Sequence, residues 1–242
     1  MVRYWKDILE YEQPDAASLK KKAKESAERE KKKGKILEPV KVSGRQIVQS
    51  WWGKAWCDNL ERYADYASRL ERGKRYVRTG TVVDLKINKG KVTARVQGRR
   101  RAPYKVSVRI SPLSEQRCQE IIAECGNQIE NVEQLLSGNI PLGLQELFTS
   151  KNGLFPSSRE ISFDCSCPDW ALLCKHVAAV LYGIGVRFDE NPLLFFTLRG
   201  IDVEKFVNVT LENRIEQMIK NADRKSERVM DDIDLEAVFG VR

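Results

Sequence analysis

The chain has 242 residues and a mass of 27.8 kDa, enough to bury a substantial core in one large or two small domains. Hydrophobic residues make up 42% and charged residues 31%, with a mean hydropathy of −0.46; no window approaches the about 18 apolar residues of a membrane helix, so a spanning protein is excluded and no membrane partner is expected. Basic residues outnumber acidic ones 42 to 34, and a lone histidine among six cysteines excludes any two-histidine metal site.

The charge is uneven. Lys41 to Arg109 holds 18 basic and 5 acidic residues, Ser111 to Phe163 holds 3 and 7, and Asp164 to Arg242 holds 10 and 14. A basic segment in an otherwise acidic chain points to an acidic partner, nucleic acid foremost. A surface whose charges merely scatter over several faces is the alternative. The N-terminus shows no basic region followed by an apolar run, so a cytoplasmic location is expected, with nucleoid association for a DNA-bound form.

In chain order, residues 1–40 read as a charged arm and linker. Leu19, Ala23 and Ala27 are too few and small to dock a helix firmly, and Ser18 is a candidate cap. Residues 41–150 read as a basic α+β domain. Its first helix spans Ser50 to Leu70, capped by Ser50, with Trp52, Trp56, Leu60, Tyr63 and Ala67 on one face, Trp51 off it, and an exit at Gly73. From Tyr76 to Ile110 the period changes to two. Val83, Leu85 and Ile87, then Val92, Ala94 and Val96, then Tyr104, Val106, Val108 and Ile110 predict a three-stranded antiparallel meander. Its polar face would carry Lys86, Arg95, Lys105 and Arg109, with Arg99, Arg100 and Arg101 in a loop. Such a face can lie against a phosphate backbone.

Leu113 to Leu136 predicts two helices broken near Gly126, with Cys118, Ile121, Ile122 and Cys125 on one face and Ile129, Val132 and Leu136 on another. A short helix is expected over Leu142–Phe148, and Asn152-Gly153 reads as a turn. Cys57, Cys118 and Cys125 read as small hydrophobes.

Residues 151–190 hold the densest chemistry. Ile161 and Phe163 alternate into Cys165 as a strand. Cys165, Cys167 and Cys174 then lie within twelve residues of His176, and Val177, Val180 and Leu181 take up helical spacing. Two cysteines at i, i+2 on a turning strand end, with Pro168 enforcing the turn, can aim both sulfurs at one point. Cys174 and His176 fall at a helix N-terminus, which favours a thiolate. Three thiolates and an imidazole form a closed set suited to structural Zn²⁺, with no position left for substrate. A disulfide or a redox thiol pair is the alternative, disfavoured by the reducing cytosol and by the Cys-x-Cys spacing. No phosphate loop, dinucleotide fingerprint or nucleophile elbow is present, so the chain reads as a non-enzyme. Lys175 is a further candidate phosphate contact. Residues 191–242 read as a helical C-terminal segment through Phe206, Val209, Ile215 and Ile219, ending in the acidic-apolar tail Asp231 to Phe239.

The spacing Cys-x-Cys, six residues, Cys-x-His resembles the SWIM zinc finger, a ββα-like zinc-stapled unit. Ser50-Trp-Trp-Gly-Lys-Ala-Trp, Arg72-Gly-Lys-Arg-Tyr-Val-Arg, Val96-Gln-Gly with Pro103-Tyr-Lys-Val, and Asn191-Pro-Leu-Leu through Leu198-Arg-Gly200 are similar to the stand-alone bacterial SWIM proteins. The resemblance implies a non-catalytic module that binds DNA or other proteins; the basic segment by itself leaves DNA and RNA both open. The resemblance also implies a Swi/Snf-type ATPase or helicase as partner, and RNA polymerase as a second-order target.

Overall fold

The computed structural model describes residues 15–65, 67–128, 142–150 and 153–222. The readings made for residues 1–14, for Ile129, Val132 and Leu136, for Asn152, for the Cys125 side chain and for the tail Asp231 to Phe239 fall outside them. The architecture is α+β.

Helix α1 (Ala16–Lys32) is capped not by Ser18 but by Asp15, whose carboxylate accepts from Ala17 and Ser18 N–H. Contrary to expectation it docks, burying Leu19, Ala23, Ser26 and Glu30. Two small apolar residues hold it because Glu30 adds an ionic anchor. Its carboxylate takes Lys35 at 2.6 Å, Lys33 at 3.1 Å and the guanidinium of Arg95. Lys22 and Arg29 donate to the carbonyls of Arg99 and Arg101 at 3.1 and 2.7 Å. Lys35 and then Lys33 hold the Glu30 carboxyl down to about 2, from an ordinary value of 4.5. A depressed carboxyl stabilises the fold above its unfolded pKa, and this contribution is lost as pH falls through the folded one. Helix α1 is therefore expected to become protease-sensitive between about pH 4.5 and pH 2, and Glu30→Gln is expected to loosen it at neutral pH. Equal resistance of residues 16–32 in Glu30→Gln and the parent would show that Leu19 and Ala23 suffice.

The single helix expected from Ser50 to Leu70 is two. Helix α2 (Trp51–Glu61) starts at the predicted cap, where Ser50 Oγ accepts from Gly53 N–H at 3.0 Å. Helix α3 (Ala67–Arg78) carries Gly73 in its interior rather than at its exit. A Cβ at Gly73 would lie 2.4 Å from Ala178 Cβ, so glycine permits the close approach of two helices. Tyr76 belongs to α3 and not to the meander. Trp51, expected off the apolar stripe, meets Phe148 edge-on at 5.4 Å.

The meander forms as read: β1 (Val82–Asn88), β2 (Lys91–Val96) and β3 (Tyr104–Ile110) pair antiparallel in sequence order. A register shift between Val82 and Asp84 puts Val82, Val83 and Leu85 all out of solvent. Helix α4 (Glu115–Gln128) ends two residues past Gly126, and the second helix expected after it falls outside the described residues. A 3₁₀ turn (Leu142–Leu144) and α5 (Gln145–Thr149) supply the short helix expected there.

Strand β4 (Ile161–Cys165) adds to the sheet beside β3, in order β1-β2-β3-β4. Helix α6 (Lys175–Glu190) follows, then α7 (Leu193–Arg199) and α8 (Val203–Ala222). Helix α6 buries every residue from His176 to Gly185, as a helix enclosed by protein does. Trp52 and Trp56 donate their indole N–H groups to its Phe188 and Leu181 carbonyls, at 3.2 and 3.0 Å. One contiguous core joins α1, the sheet, α6 and α7. The ββα unit of the finger is thus built from β3, β4 and α6, with its first strand taken from the meander.

Candidate metal centre

Each ligand is placed by a different part of this frame. Cys165 ends β4, whose Cα partner is Val106 on β3. Ser166 continues the pairing, its N–H donating to Lys105 O at 3.0 Å while its Oγ accepts from Lys105 N–H at 3.0 Å. The chain then turns over Cys167 and Pro168. Asp169 fastens the turn by accepting from Ala171 N–H and pairing with Arg69 of α3 at 3.2 Å. Cys174 is the N-cap of α6, and His176 lies in its first turn.

The four donor atoms lie within 4.8 Å of one another, with His176 Nδ1 at 3.9 Å from Cys165 Sγ and 4.0 Å from Cys174 Sγ. Tetrahedral Zn²⁺ with bonds of about 2.0–2.3 Å requires donor separations of about 3.5–3.8 Å, so the two His176 distances need to close by a few tenths and the widest separation by about 1 Å. Thiols and one imidazole are the soft donors zinc takes, in the closed set of a structural site. The electrostatics favour a cation here. Hydrogen bonding from Cys165, then from His176 and Val177 N–H, brings the Cys174 thiol down to about 3 against the cost of burial. Cys165 is pushed up by that same bond and by burial, and Cys167 is pushed up chiefly by burial. Burial and mutual hydrogen bonding oppose three thiolates side by side, and a bound cation relieves that opposition. Cys57 behaves as a packing group, and burial pushes its thiol up to about 12.

The imidazole is clamped by residues that the sequence did not associate with the metal. Tyr104 stacks on it at 4.3 Å and Tyr76 meets it edge-on at 5.5 Å. A Cβ at Gly98 would lie 2.6 Å from the Tyr104 ring and 3.3 Å from His176 Nε2, so only glycine lets the backbone cross this stack. The motifs Val96-Gln-Gly and Pro103-Tyr are therefore parts of the metal support.

The candidate phosphate contacts divide between two surfaces. Lys86, Arg95, Lys105 and Arg109 line a groove of about 700 Å³ on the outer sheet face, together with Lys35 and Lys91. Within it Arg95 turns inward to Glu30 and to Asp84 at 4.0 Å, and Lys86 pairs with Glu38 at 3.8 Å. Arg99 and Lys175 line a second cleft beside the finger, with Arg69 and Arg72 of α3. Arg100 sits over the Tyr104 ring at 5.4 Å, and Arg101 is exposed nearby in the chain. Spacing alone carried no signal for the convergence of α3, the arginine loop and the finger.

Residues 164–183 match the family model of the SWIM zinc finger. A relative described as "Uncharacterized protein Rv2102", from Mycobacterium tuberculosis, is 36% identical over 160 residues, covering 65% of this chain and 57% of its own length. The chain thus spans little more than half of that relative. No solved structure matches. Among the described residues no helix is long and apolar enough to cross a membrane. Cys165, Cys167, Cys174 and His176 form a donor set that fits Zn²⁺, and the chain carries a SWIM zinc finger.

Proposed function

We propose that the chain is a non-catalytic zinc module that grips a nucleic-acid backbone on the outer face of its sheet, as accessory to a Swi/Snf-type ATPase. The groove on that face carries this reading. It gathers Lys35, Lys86, Lys91, Arg95, Lys105 and Arg109 with Asp84 and Asp164 in its lining, Glu30 pairing with Lys35 and Arg95 and Glu38 with Lys86, while the opposite sheet face is committed to the core. Among the described residues Lys91, Lys105 and Arg109 are exposed and in no ion pair, which leaves them to neutralise phosphates. Nothing in the groove resembles a base-reading constellation, so sequence preference is expected to be weak.

The test is binding of zinc-loaded protein to labelled duplex across a range of salt. Replacing Lys91, Lys105 and Arg109 with Ala is expected to lower the salt slope by about 0.9 for each phosphate no longer neutralised. The same slope and affinity in the triple variant would remove the sheet face from the site.

A protein adaptor is the second reading, and RNA polymerase belongs to it as a target of the motor. Exposed Leu211, Ile215, Met218 and Ile219, at helical spacing on α8, favour it. Affinity purification from the native cell followed by mass spectrometry is expected to recover a Swi/Snf-type motor, and its absence would count against this partner.

A further inference from the structure

The cleft beside the finger has features that a phosphate-gripping groove does not need. It encloses about 480 Å³ between α3, the arginine loop and the zinc knuckle. That size falls within the about 300–1,000 Å³ of ligand sites. Arg69, Arg72, Arg99 and Lys175 line it, with Asp169, paired to Arg69, as its one carboxylate.

His176 forms part of the cleft wall. The ring is 2% exposed, and its Nδ1 faces the sulfurs. With Nδ1 given to the metal, the neutral ring carries its proton on Nε2. Metal-ligating histidines hand that second N–H to a carboxylate, a carbonyl or water. Here Nε2 is buried and has no hydrogen-bond partner among the described residues. That atom is sealed from solvent beneath Gly98 and the Tyr104 ring, so it belongs to the wall of the cleft and is not itself offered to a ligand.

Trp170 lines the same cleft and is 80% exposed. An indole left in water beside a cationic cleft is a platform for a flat ring. In a duplex both faces of every base are already stacked, so such a platform serves an unpaired strand.

We propose that this cleft takes one nucleotide of a single-stranded nucleic acid. Its phosphate meets Arg72, Arg99 and Lys175, and its base stacks on Trp170. The inference rests on the nucleic-acid reading above and adds strand state and a second site to it. The module would hold a duplex on its sheet face and an unpaired strand at its finger.

The test uses the zinc-loaded full chain, with fluorescence anisotropy on labelled oligothymidylate, oligouridylate and a duplex of equal length. Trp170→Ala, checked for unchanged zinc content, is expected to weaken binding of both single strands by roughly 5- to 100-fold and to leave duplex binding within about twofold. Arg72→Ala with Lys175→Ala is expected to weaken single strands and to reduce their salt slope. Single-strand binding that ignores Trp170→Ala would overturn this site and leave the sheet-face reading standing. Equal losses for single strand and duplex would overturn the strand selectivity. Absence of binding to any nucleic acid would overturn both readings and leave Trp170 and Leu172 as an edge for a protein partner.

Discussion

Chelation of zinc is expected to strip hydrogen-exchange protection from Cys167 to Cys174 while Val177 to Phe188 and β3 stay protected. The ligands divide between a knuckle that only metal organises and a helix that apolar packing already holds. From Cys167 to Cys174 the chain has no regular backbone ladder, and its fastenings include the Asp169 contacts and Leu172 N–H to Asp65 at 3.2 Å. His176 lies at the start of a helix whose next residues are all buried. Structural zinc yields about 10–16 kcal/mol in small finger peptides, where binding and folding are one event. Here the fold stands on its own core, so chelation is expected to lower the thermal midpoint without unfolding the chain. Uniform loss of protection would mean that the core cannot stand without the metal. Cys174→Ser is expected to be more damaging than Cys167→Ser, because Cys174 is 0% exposed and Cys167 is only half-buried.

The second large effect is expected at Trp56. Its indole is 1% exposed and meets Phe188, Phe195 and Phe155 at 5.1, 5.8 and 6.1 Å, with its N–H on Leu181 O. It thus joins α2 to the helix that carries His176 and to the aromatic layer of α7. Trp56→Ala is expected to cost about 3–5 kcal/mol, through the apolar burial it removes and the cavity it leaves. Urea unfolding of the zinc-loaded protein measures this as a lower midpoint at similar slope. A change below about 1 kcal/mol would mean that the neighbouring phenylalanines close the space. Weakened zinc retention in the same variant would show that the core sets the position of His176.

These two sites also show what was legible beforehand. The zinc ligands, the meander and the Ser50 cap are local signals, written in spacings of a few residues. The apolar stripe Trp52, Trp56 and Leu60 was equally plain, but it runs on in phase through Tyr63 and Ala67. The break between α2 and α3 therefore left no mark in the periodicity. Gly73 reads as a helix exit because its role is contact with Ala178, far along the chain. Helix α1 looked unable to dock because its anchor Arg95 comes from the second strand. The strand at 161–165 was visible, but its partner was not, since pairing with β3 is settled by the fold and not by neighbours in sequence. The finger cleft was hidden for the same reason. Its lining converges from α3, the arginine loop and the knuckle, and an exposed tryptophan looks like a buried one in a string of letters.

The segment that joins the arm to the body has a consequence for how anything can attach to this molecule. Leu85 N–H donates to Glu38 O at 2.9 Å and Val40 N–H to Val82 O at 3.0 Å, so Glu38 to Val40 runs antiparallel along the outer side of β1. That side of the sheet is already hydrogen-bonded by the protein's own backbone. At the opposite margin β4 is only five residues long and turns Ser162 and Asp164 to solvent, as edge strands that resist pairing do. Recruitment by strand addition is therefore blocked along β1 and discouraged along β4. A motor or a nucleic acid has to approach through the basic groove, the finger cleft or the helices, and the sheet stays a closed frame behind them.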